Sequence, residues 1–207
     1  MNIAIFGAKG RVGSAVCTFA RQRKHTVCEI DVGVPPDETF RPEAVIDFSL
    51  PVATQDVVDY CAVHNCPLIT GVTGRNKQQQ ALIDSLATQL PVRQSANFAQ
   101  GMQAFIAICQ EFAKRCPDWD VDIVETHRRN KLDAPAGTAK KIAALIAKQR
   151  GTFTSVVIHS LRSGSNFGRH EVIFGGQGES VTLVHQAESV EVFALGAVKC
   201  AEKLIPG

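Results

Sequence analysis

The sequence has almost no excess of charge of either sign. Its 22 lysines and arginines and 20 aspartates and glutamates give a net charge of +2. Nucleic-acid-binding surfaces usually carry a marked excess of basic residues, so we expect no nucleic-acid partner. No apolar run approaches the roughly 18 residues of a membrane-spanning helix, and the first residues do not resemble a signal peptide. We therefore expect no membrane association either.

Paired cysteine motifs are also missing. The seven cysteines, an odd number, include no Cys-x-x-Cys pair and no spacing typical of zinc sites. Cys61 and Cys66 lie in or beside an apolar helical pattern and are predicted to be packed thiols. His159, His170 and His185 lack tight ligand spacing, so no metal site is predicted. Reduced thiols favour a cytoplasmic location.

Short apolar runs alternate with helical patterns through the first half of the chain. Strands are predicted at 2–6, 25–31, 44–49, 67–71 and 91–95, with helices at 11–23, 51–64 and 76–89. This alternation predicts an α/β fold with a Rossmann-like, doubly wound parallel sheet in a dinucleotide-binding domain over residues 1–97.

The pattern changes beyond residue 97. Helices are predicted at 98–116 and 137–149, and strands at 121–126, 153–162, 168–176 and 179–188. We predict a second, α+β domain over 98–187 with an open, mostly antiparallel sheet, which serves substrate binding and oligomerisation. The end of the chain, 188–207, mixes a short strand with a helix and is expected to pack back on the first domain.

A glycine-rich loop, "GAKGRVG", follows the first predicted strand and opens a helix. Its spacing, Gly7, Gly10 and Gly13, is a variant of the dinucleotide fingerprint. Such a loop lets the backbone approach a pyrophosphate, which the helix N-terminus then binds. Asp31 ends the second strand, where an acid accepts hydrogen bonds from a ribose. This charge favours NADH, whereas Lys9 and Arg11 attract the extra phosphate of NADPH, so we expect either cofactor.

Two further segments lie where ligands of such sheets bind. "DFS" at 47–49 and "GVTG" at 71–74 follow the third and fourth strands, at their carboxyl ends. Gly71, Thr73 and Gly74 can present backbone groups to a nicotinamide. A plain turn is the alternative interpretation of "GVTG".

A cationic segment, "ETHRRNKLDAPAGTA" at 125–139, precedes the helix of the second domain. Pro135 suits the first turn of that helix, and Asp133 can cap it. Gly137, Thr138 and Lys131 together offer backbone amides, a hydroxyl and a point charge to a carboxylate. His127 is the side chain best able to donate a proton near neutral pH. An ordinary solvated turn is the alternative.

With these residues in view, the chain resembles bacterial dihydrodipicolinate reductases. The signature of that family is close to E-x-H-H-x-x-K-x-D-A-P-S-G-T-A, which residues 125–139 largely match. The glycine loop, "DFS", "GVTG", "NFAQG" and "HSLRSGSNFGRHEVIF" match other family segments, so the resemblance covers almost the whole chain. It implies reduction of a cyclic unsaturated dicarboxylate by hydride from NADH or NADPH, in the pathway to diaminopimelate and lysine.

The resemblance also implies roles for residues and an assembly. His127 and Lys131 become the catalytic residues, and Lys131, Gly137 and Thr138 bind the small dicarboxylate substrate. The family usually forms a homotetramer through the sheet of the second domain. The full set of predicted cofactor-binding residues is Gly7, Lys9, Gly10, Arg11, Val12, Gly13, Asp31, Phe48, Ser49, Gly71, Thr73, Ala96, Asn97 and Phe98.

Three departures from the family pattern concern the substrate. Arg128 replaces the second histidine, Ala136 replaces a serine, and Val190 stands where the family often has an arginine. Arg128 can bind a carboxylate but is a poor proton donor, and we predict that it substitutes for the missing cation. His159 and Arg162 are further candidates for the substrate pocket.

Two other functions remain compatible with the sequence. One is another NAD(P)-dependent amino-acid dehydrogenase built on the same plan, such as an aspartate dehydrogenase. The other is a regulatory homologue that binds the nucleotide without catalysis, against which the retention of His127 and Lys131 argues.

Overall fold

A computed structural model describes residues 1–151 and 156–205. These residues form two compact units, one made of 1–98 and 190–205, the other of 99–151 and 156–189. None of the helices in these described ranges is long and apolar enough to cross a membrane. The first part of the strand predicted at 153–162, residues 153–155, lies outside the described residues.

The first unit is built on a parallel sheet with the strand order β2-β1-β3-β4-β5. Its strands are β1 (Asn2–Phe6), β2 (Thr26–Ile30), β3 (Ala44–Asp47), β4 (Leu68–Thr70) and β5 (Val92–Gln94). Its helices are α1 (Arg11–Gln22), α2 (Thr54–His64, after a 3-10 turn at Pro51–Ala53) and α3 (Lys77–Ala87), besides the last helix of the chain. Strand order reverses between β1 and β3, and ligands of such sheets bind outside the carboxyl ends at that point.

Both faces of this sheet are buried, which confirms the doubly wound fold. Ile3 and Ile5 of β1 face one core with α1, whereas Ala4 and Phe6 face a second core with α2 and α3. Because side chains alternate across a strand, a strand covered on both faces is apolar throughout. The second core includes the buried, unpaired thiols of Cys61 and Cys66, as predicted.

The last helix, α6 (Glu191–Leu204), completes the first core. The short strand predicted at its start is wrong, because α6 is helical from Glu191 onward. Ala194, Ala197 and Ala201 recur at helical spacing and are fully buried. A Cβ at Gly196 would lie 1.8 Å from the carbonyl oxygen of Phe98, so only glycine permits this close packing.

The second unit has a four-stranded sheet with the order β7-β6-β8-β9. Its strands are β6 (Asp120–His127), β7 (Val157–Arg162), β8 (Arg169–Gly176) and β9 (Glu179–Gln186), and its helices are α4 (Gln100–Arg115) and α5 (Gly137–Arg150). Only the β6–β7 pair is parallel, so the mostly antiparallel α+β arrangement is confirmed. In β6, Val121, Ile123, Glu125 and His127 alternate inward and are buried.

The other face of this sheet is open. Val157 and Leu161 of β7 and Val184 of β9 are about half exposed there. His159, between the first two, shares this face and pairs with Asp122 at 3.0 Å.

Candidate active site

The glycine loop after β1 is shaped for close backbone approach. Gly7 has a φ of 75°, and a Cβ there would lie 2.6 Å from the carbonyl oxygen of Phe48. A Cβ at Gly13 would lie 2.0 Å from the carbonyl oxygen of Gly7, so α1 could not pack against the loop with a larger residue. Gly10 is the exposed N-cap of α1 and offers no side-chain cap. The amides at the start of α1 therefore suit an anion.

Asp31 is tied to this loop by its carboxylate. Its Oδ2 accepts a hydrogen bond from the amide of Lys9 at 2.7 Å, and its Oδ1 accepts one from the amide of Val32 at 2.8 Å. A carboxylate has lone pairs for about four bonds, so Asp31 can still accept from a ribose. The side chains of Lys9 and Arg11 are exposed beside it.

A cleft of about 440 Å³ opens in the first unit beside the glycine loop and the segment that follows β3. Five of the predicted cofactor-binding residues line it: Gly7, Gly10, Asp31, Phe48 and Ser49. Its wall also contains the exposed apolar side chains of Val32, Leu50 and Val52, which the sequence analysis missed. Their position directly after strand ends, where the chain should be polar, is the signal that could have identified them.

The other predicted cofactor-binding residues in this unit lie outside the cleft lining. A Cβ at Gly71 would meet the ring of Phe48 at 2.2 Å, so this glycine makes room for the ring. Val12 and Phe98 pack against the first core. Thr73 and Ala96 are exposed, and the amide of Asn97 donates to Ser95 Oγ at 3.1 Å.

A buried ion pair joins the "DFS" segment to Arg75, the residue that follows "GVTG". Arg75 Nη2 donates to Asp47 Oδ2 at 3.0 Å, and both side chains are almost fully buried. Arg75 also donates to Thr54 Oγ1 and to the carbonyl of Val72, each at 3.0 Å. Asp47 in turn accepts from the amide of Ser49 at 3.0 Å. These hydrogen bonds fix the two segments relative to each other. The sequence analysis did not predict them.

In the second unit, His127 ends β6 and is buried against Glu125. Its Nδ1 is hydrogen-bonded to Glu125 Oε2. Arg162 makes a two-pronged contact with the same carboxylate, at 2.9 Å from Nη1 and 2.8 Å from Nη2, and the amide of Ala136 donates to Oε1 at 3.2 Å. Burial alone would raise the pKa of Glu125, but these hydrogen bonds lower it to about 2.

The ionised Glu125 determines which nitrogen of His127 carries a proton. A carboxylate only accepts, so Nδ1 must donate, and Nε2 is left to exchange a proton with a ligand. Burial lowers the pKa of His127, and Glu125 only partly offsets this. A Cβ at Gly168 would lie 3.1 Å from Nε2, so glycine leaves room on that side.

A second buried imidazole, His170, lies edge-on to His127, with ring centroids 5.3 Å apart. Burial lowers the pKa of His170 to about 3, so this ring is neutral beside His127. Its own register partners across the sheet are Glu125 and His185.

Two of the four predicted anion-binding residues lie at the start of α5. Gly137 is its first residue and Thr138 is nearly buried. Pro135 was expected in the first helical turn, which is wrong, because Ala136 is the extended N-cap and Pro135 precedes it. Lys131 Nζ lies 2.5 Å from Asp133 Oδ1. Arg128 is half-buried, and its amide donates to the carbonyl of Asn166 at 2.9 Å.

The structure separates the two further candidates for the substrate pocket. Arg162 lies on the buried side of β7 and is engaged by Glu125, while His159 lies on the open face. Sequence reasoning missed Glu125 as a functional residue. The signal was present, since a charged residue continues the inward apolar alternation of β6.

Comparisons with known proteins agree with this geometry. Residues 35–98 match the family model "Dihydrodipicolinate reductase, N-terminus", and residues 101–207 match "Dihydrodipicolinate reductase, C-terminus". The 4-hydroxy-tetrahydrodipicolinate reductase of Natronomonas pharaonis is 33% identical, over 99% of this chain and 94% of that protein. That of Thermosipho africanus is also 33% identical, over 99% of this chain and 92% of that protein.

Solved structures show the same fold. A dipicolinate-bound dihydrodipicolinate reductase from Paenisporosarcina sp. TG-14 aligns with a TM-score of 0.75 and 22% identity, over 99% of this chain and 95% of that one. An aspartate dehydrogenase from Thermotoga maritima aligns with a TM-score of 0.52 and 13% identity, over 99% of this chain and 96% of that one. The fold is thus shared with other dehydrogenases, whereas the sequence similarity is specific.

Proposed function

The chain belongs to the dihydrodipicolinate reductase family, and we propose that it transfers hydride from NADH or NADPH to 4-hydroxy-tetrahydrodipicolinate, whose 4-hydroxyl group leaves as water, giving tetrahydrodipicolinate and NAD⁺ or NADP⁺. The observation that carries this proposal is the arrangement at the end of β6. A histidine supported by a buried carboxylate lies on the same short segment as a lysine and a helix N-terminus. That combination suits protonation of a bound dianion.

The first unit would hold the dinucleotide. The amides at Gly10 and the start of α1 suit the pyrophosphate, and Asp31 suits the adenosine ribose. Val32 and Val52 offer an apolar wall to a base. When bound, the reduced nicotinamide supplies the hydride.

The second unit would hold the dicarboxylate. Lys131, the amides of Gly137 and Thr138 and the Thr138 hydroxyl suit one carboxylate, and Arg128 suits the other. His127 Nε2 donates the proton that accompanies hydride addition. Since the substrate brings two negative charges, its binding favours the protonated imidazole and offsets the effect of burial.

The pH dependence of the reaction follows from His127. Burial lowers the pKa of His127 in the free protein, so kcat/KM is expected to fall with rising pH through a limb below about 6.5. The bound dianion raises that pKa, so the limb in kcat should lie at higher pH. Steady-state rates across pH 5–9 test this order. Limbs at the same pH, or a reversed order, would exclude His127 as the group that titrates.

The cofactor preference depends on the charge of Asp31. Asp31→Asn keeps an acceptor for the Lys9 amide but removes the charge that repels a ribose phosphate. We expect the ratio of kcat/KM for NADPH to that for NADH to rise by about 10-fold, as expected for one nearby charge. Asp37→Asn, an equal charge change at another exposed position of this unit, should leave the ratio unchanged. A ratio that does not move in Asp31→Asn would remove Asp31 from the ribose site.

We also propose a homotetramer in the cytoplasm. The half-exposed Val157, Leu161 and Val184 on the open face of the second sheet support association through that face, because an uncovered apolar sheet face favours burial. Seven free thiols support a reducing compartment. Sedimentation of the protein, compared with the variant Leu161→Lys, tests the assembly.

A direct assay tests the proposed activity. Substrate is generated with dihydrodipicolinate synthase, and oxidation of NADH and of NADPH is followed by absorbance. Oxidation only in the presence of that product supports the proposal. The amino-acid dehydrogenase alternative instead expects oxidation with a keto acid and ammonia, and the regulatory alternative expects cofactor binding without turnover.

A further inference from the structure

The proposed carboxylate site of the second unit, formed by Lys131 and the amides of Gly137 and Thr138, already contains a carboxylate of the protein itself. Asp133 Oδ1 lies 2.5 Å from Lys131 Nζ. Burial would raise the pKa of Asp133, but the bond and charge of Lys131 and the amide of Gly137 hold it below its usual range. Asp133 therefore interacts with two of the groups to which the proposed function assigns a substrate carboxylate.

The main chain around Asp133 is anchored independently of the contacts of its side chain. Arg162 Nε donates to the carbonyl of Lys131 at 3.2 Å, and Arg162 Nη2 donates to the carbonyl of Asp133. These bonds tie the backbone to β7. The Asp133 side chain is 49% exposed, against 19% for Lys131. A rotation about its side-chain bonds would move the carboxylate into water without moving the backbone.

We propose that Asp133 is a built-in competitor, which a substrate carboxylate must displace before it can bind to Lys131 and the amide of Gly137. Exchange of one carboxylate for another on the same partners gains little free energy, because the bonds broken resemble the bonds formed. A lone anion or a monocarboxylate therefore binds weakly. A dicarboxylate gains its affinity from the second carboxylate, which replaces nothing. Asp133 thus lowers the affinity of the site for every anion, so that a ligand with one carboxylate is held weakly while a diacid still binds.

The inference rests on the proposed function. It predicts the opposite change in anion binding from the one that a purely structural role of Asp133 predicts. If Asp133 only held Lys131 in place and capped α5, removal of its charge would weaken binding of every anion. If Asp133 competes with the ligand, the same change strengthens the binding of every anion that occupies this site.

The test compares Asp133→Asn with the wild-type protein. Asparagine has the same shape and keeps an oxygen that can accept from the Gly137 amide. Asp118→Asn is the control, since Asp118 is an exposed acid of the same unit. Calorimetry measures the binding of pyridine-2-carboxylate and pyridine-2,6-dicarboxylate at saturating NADH.

We expect the monocarboxylate to bind about 10-fold more tightly to Asp133→Asn, the size of a charge-assisted hydrogen bond that no longer has to be broken. The diacid should gain about as much, because it displaces the same carboxylate, and Asp118→Asn should match the wild type. Unchanged or weaker binding of the monocarboxylate would overturn the inference. Asp133→Ser, a smaller neutral acceptor, repeats the test if the asparagine variant does not fold. A wild-type protein that binds no diacid would instead overturn the proposed function.

Discussion

Replacement of His127 by glutamine is expected to lower kcat by about 10²- to 10⁴-fold, the usual contribution of a general acid. A glutamine amide can still donate to Glu125, so the fold and the carboxylate site should persist. It cannot deliver a proton from the position of Nε2. Binding of NADH, followed by its fluorescence, should remain within about two-fold, because the nucleotide residues lie in the other unit.

His159→Gln is the matched control for this experiment. His159 lies on the open face of the second sheet and pairs with Asp122, so its loss should leave kcat unchanged. A His127→Gln variant that keeps more than a tenth of the wild-type kcat would remove His127 from the reaction. A large loss in both variants would indicate a general effect on the sheet instead.

Replacement of Arg162 by methionine is expected to lower the free energy of unfolding by about 3–5 kcal/mol, because a buried charge loses its partner. Glu125 is fully buried, and both of its oxygens accept from Arg162. Glu125→Gln together with Arg162→Met removes both charges, so the double variant should recover much of the loss. Urea unfolding at neutral pH measures all three proteins.

The stabilisation by Glu125 depends on pH in a definite direction. Its pKa is about 2 in the folded protein and near 4.5 when unfolded. A lowered carboxyl pKa stabilises the fold fully above pH 4.5, and this contribution is lost as the pH falls towards 2. Without Arg162 the pKa rises, so the deficit of Arg162→Met should shrink in acid.

Arg169→Met provides the comparison for the loss of an ion pair near the surface. Arg169 pairs with Glu171, and both side chains are partly exposed. Such pairs contribute at most about 1 kcal/mol. If Arg162→Met cost no more than Arg169→Met, the buried pair would not hold the end of β6 as described.

Local patterns in the sequence were sufficient for most of the fold. Asn76 and Gln79 form a reciprocal capping box at the start of α3, where the helix was expected. Gly7 and Gly13 occupy positions that exclude any Cβ, so the glycine spacing reflects a real steric demand. The start of α6 was misread because "VEVFA" alternates like a strand, while the alanine spacing that buries the helix extends over about two turns.

The supports of the candidate site could not be read in the same way. Asp47 and Arg75 are 28 residues apart, and Glu125 and Arg162 are 37 residues apart. Such pairs form only when the sheets bring their strands and loops together, and a single sequence has no local signal for them. The presence of alanine at position 136, where the family has serine, has a local explanation. The amide of Ala136 donates a hydrogen bond to Glu125, and its methyl group is buried.

A crystal structure of the protein with NADH and pyridine-2,6-dicarboxylate tests the central claim most directly. We expect one carboxylate of the ligand within hydrogen-bonding distance of Lys131 Nζ and the amides of Gly137 and Thr138, and His127 Nε2 directed at the ring. The Asp133 side chain should have turned into solvent. A diacid bound elsewhere in the second unit, with the pair of Lys131 and Asp133 intact, would contradict the account.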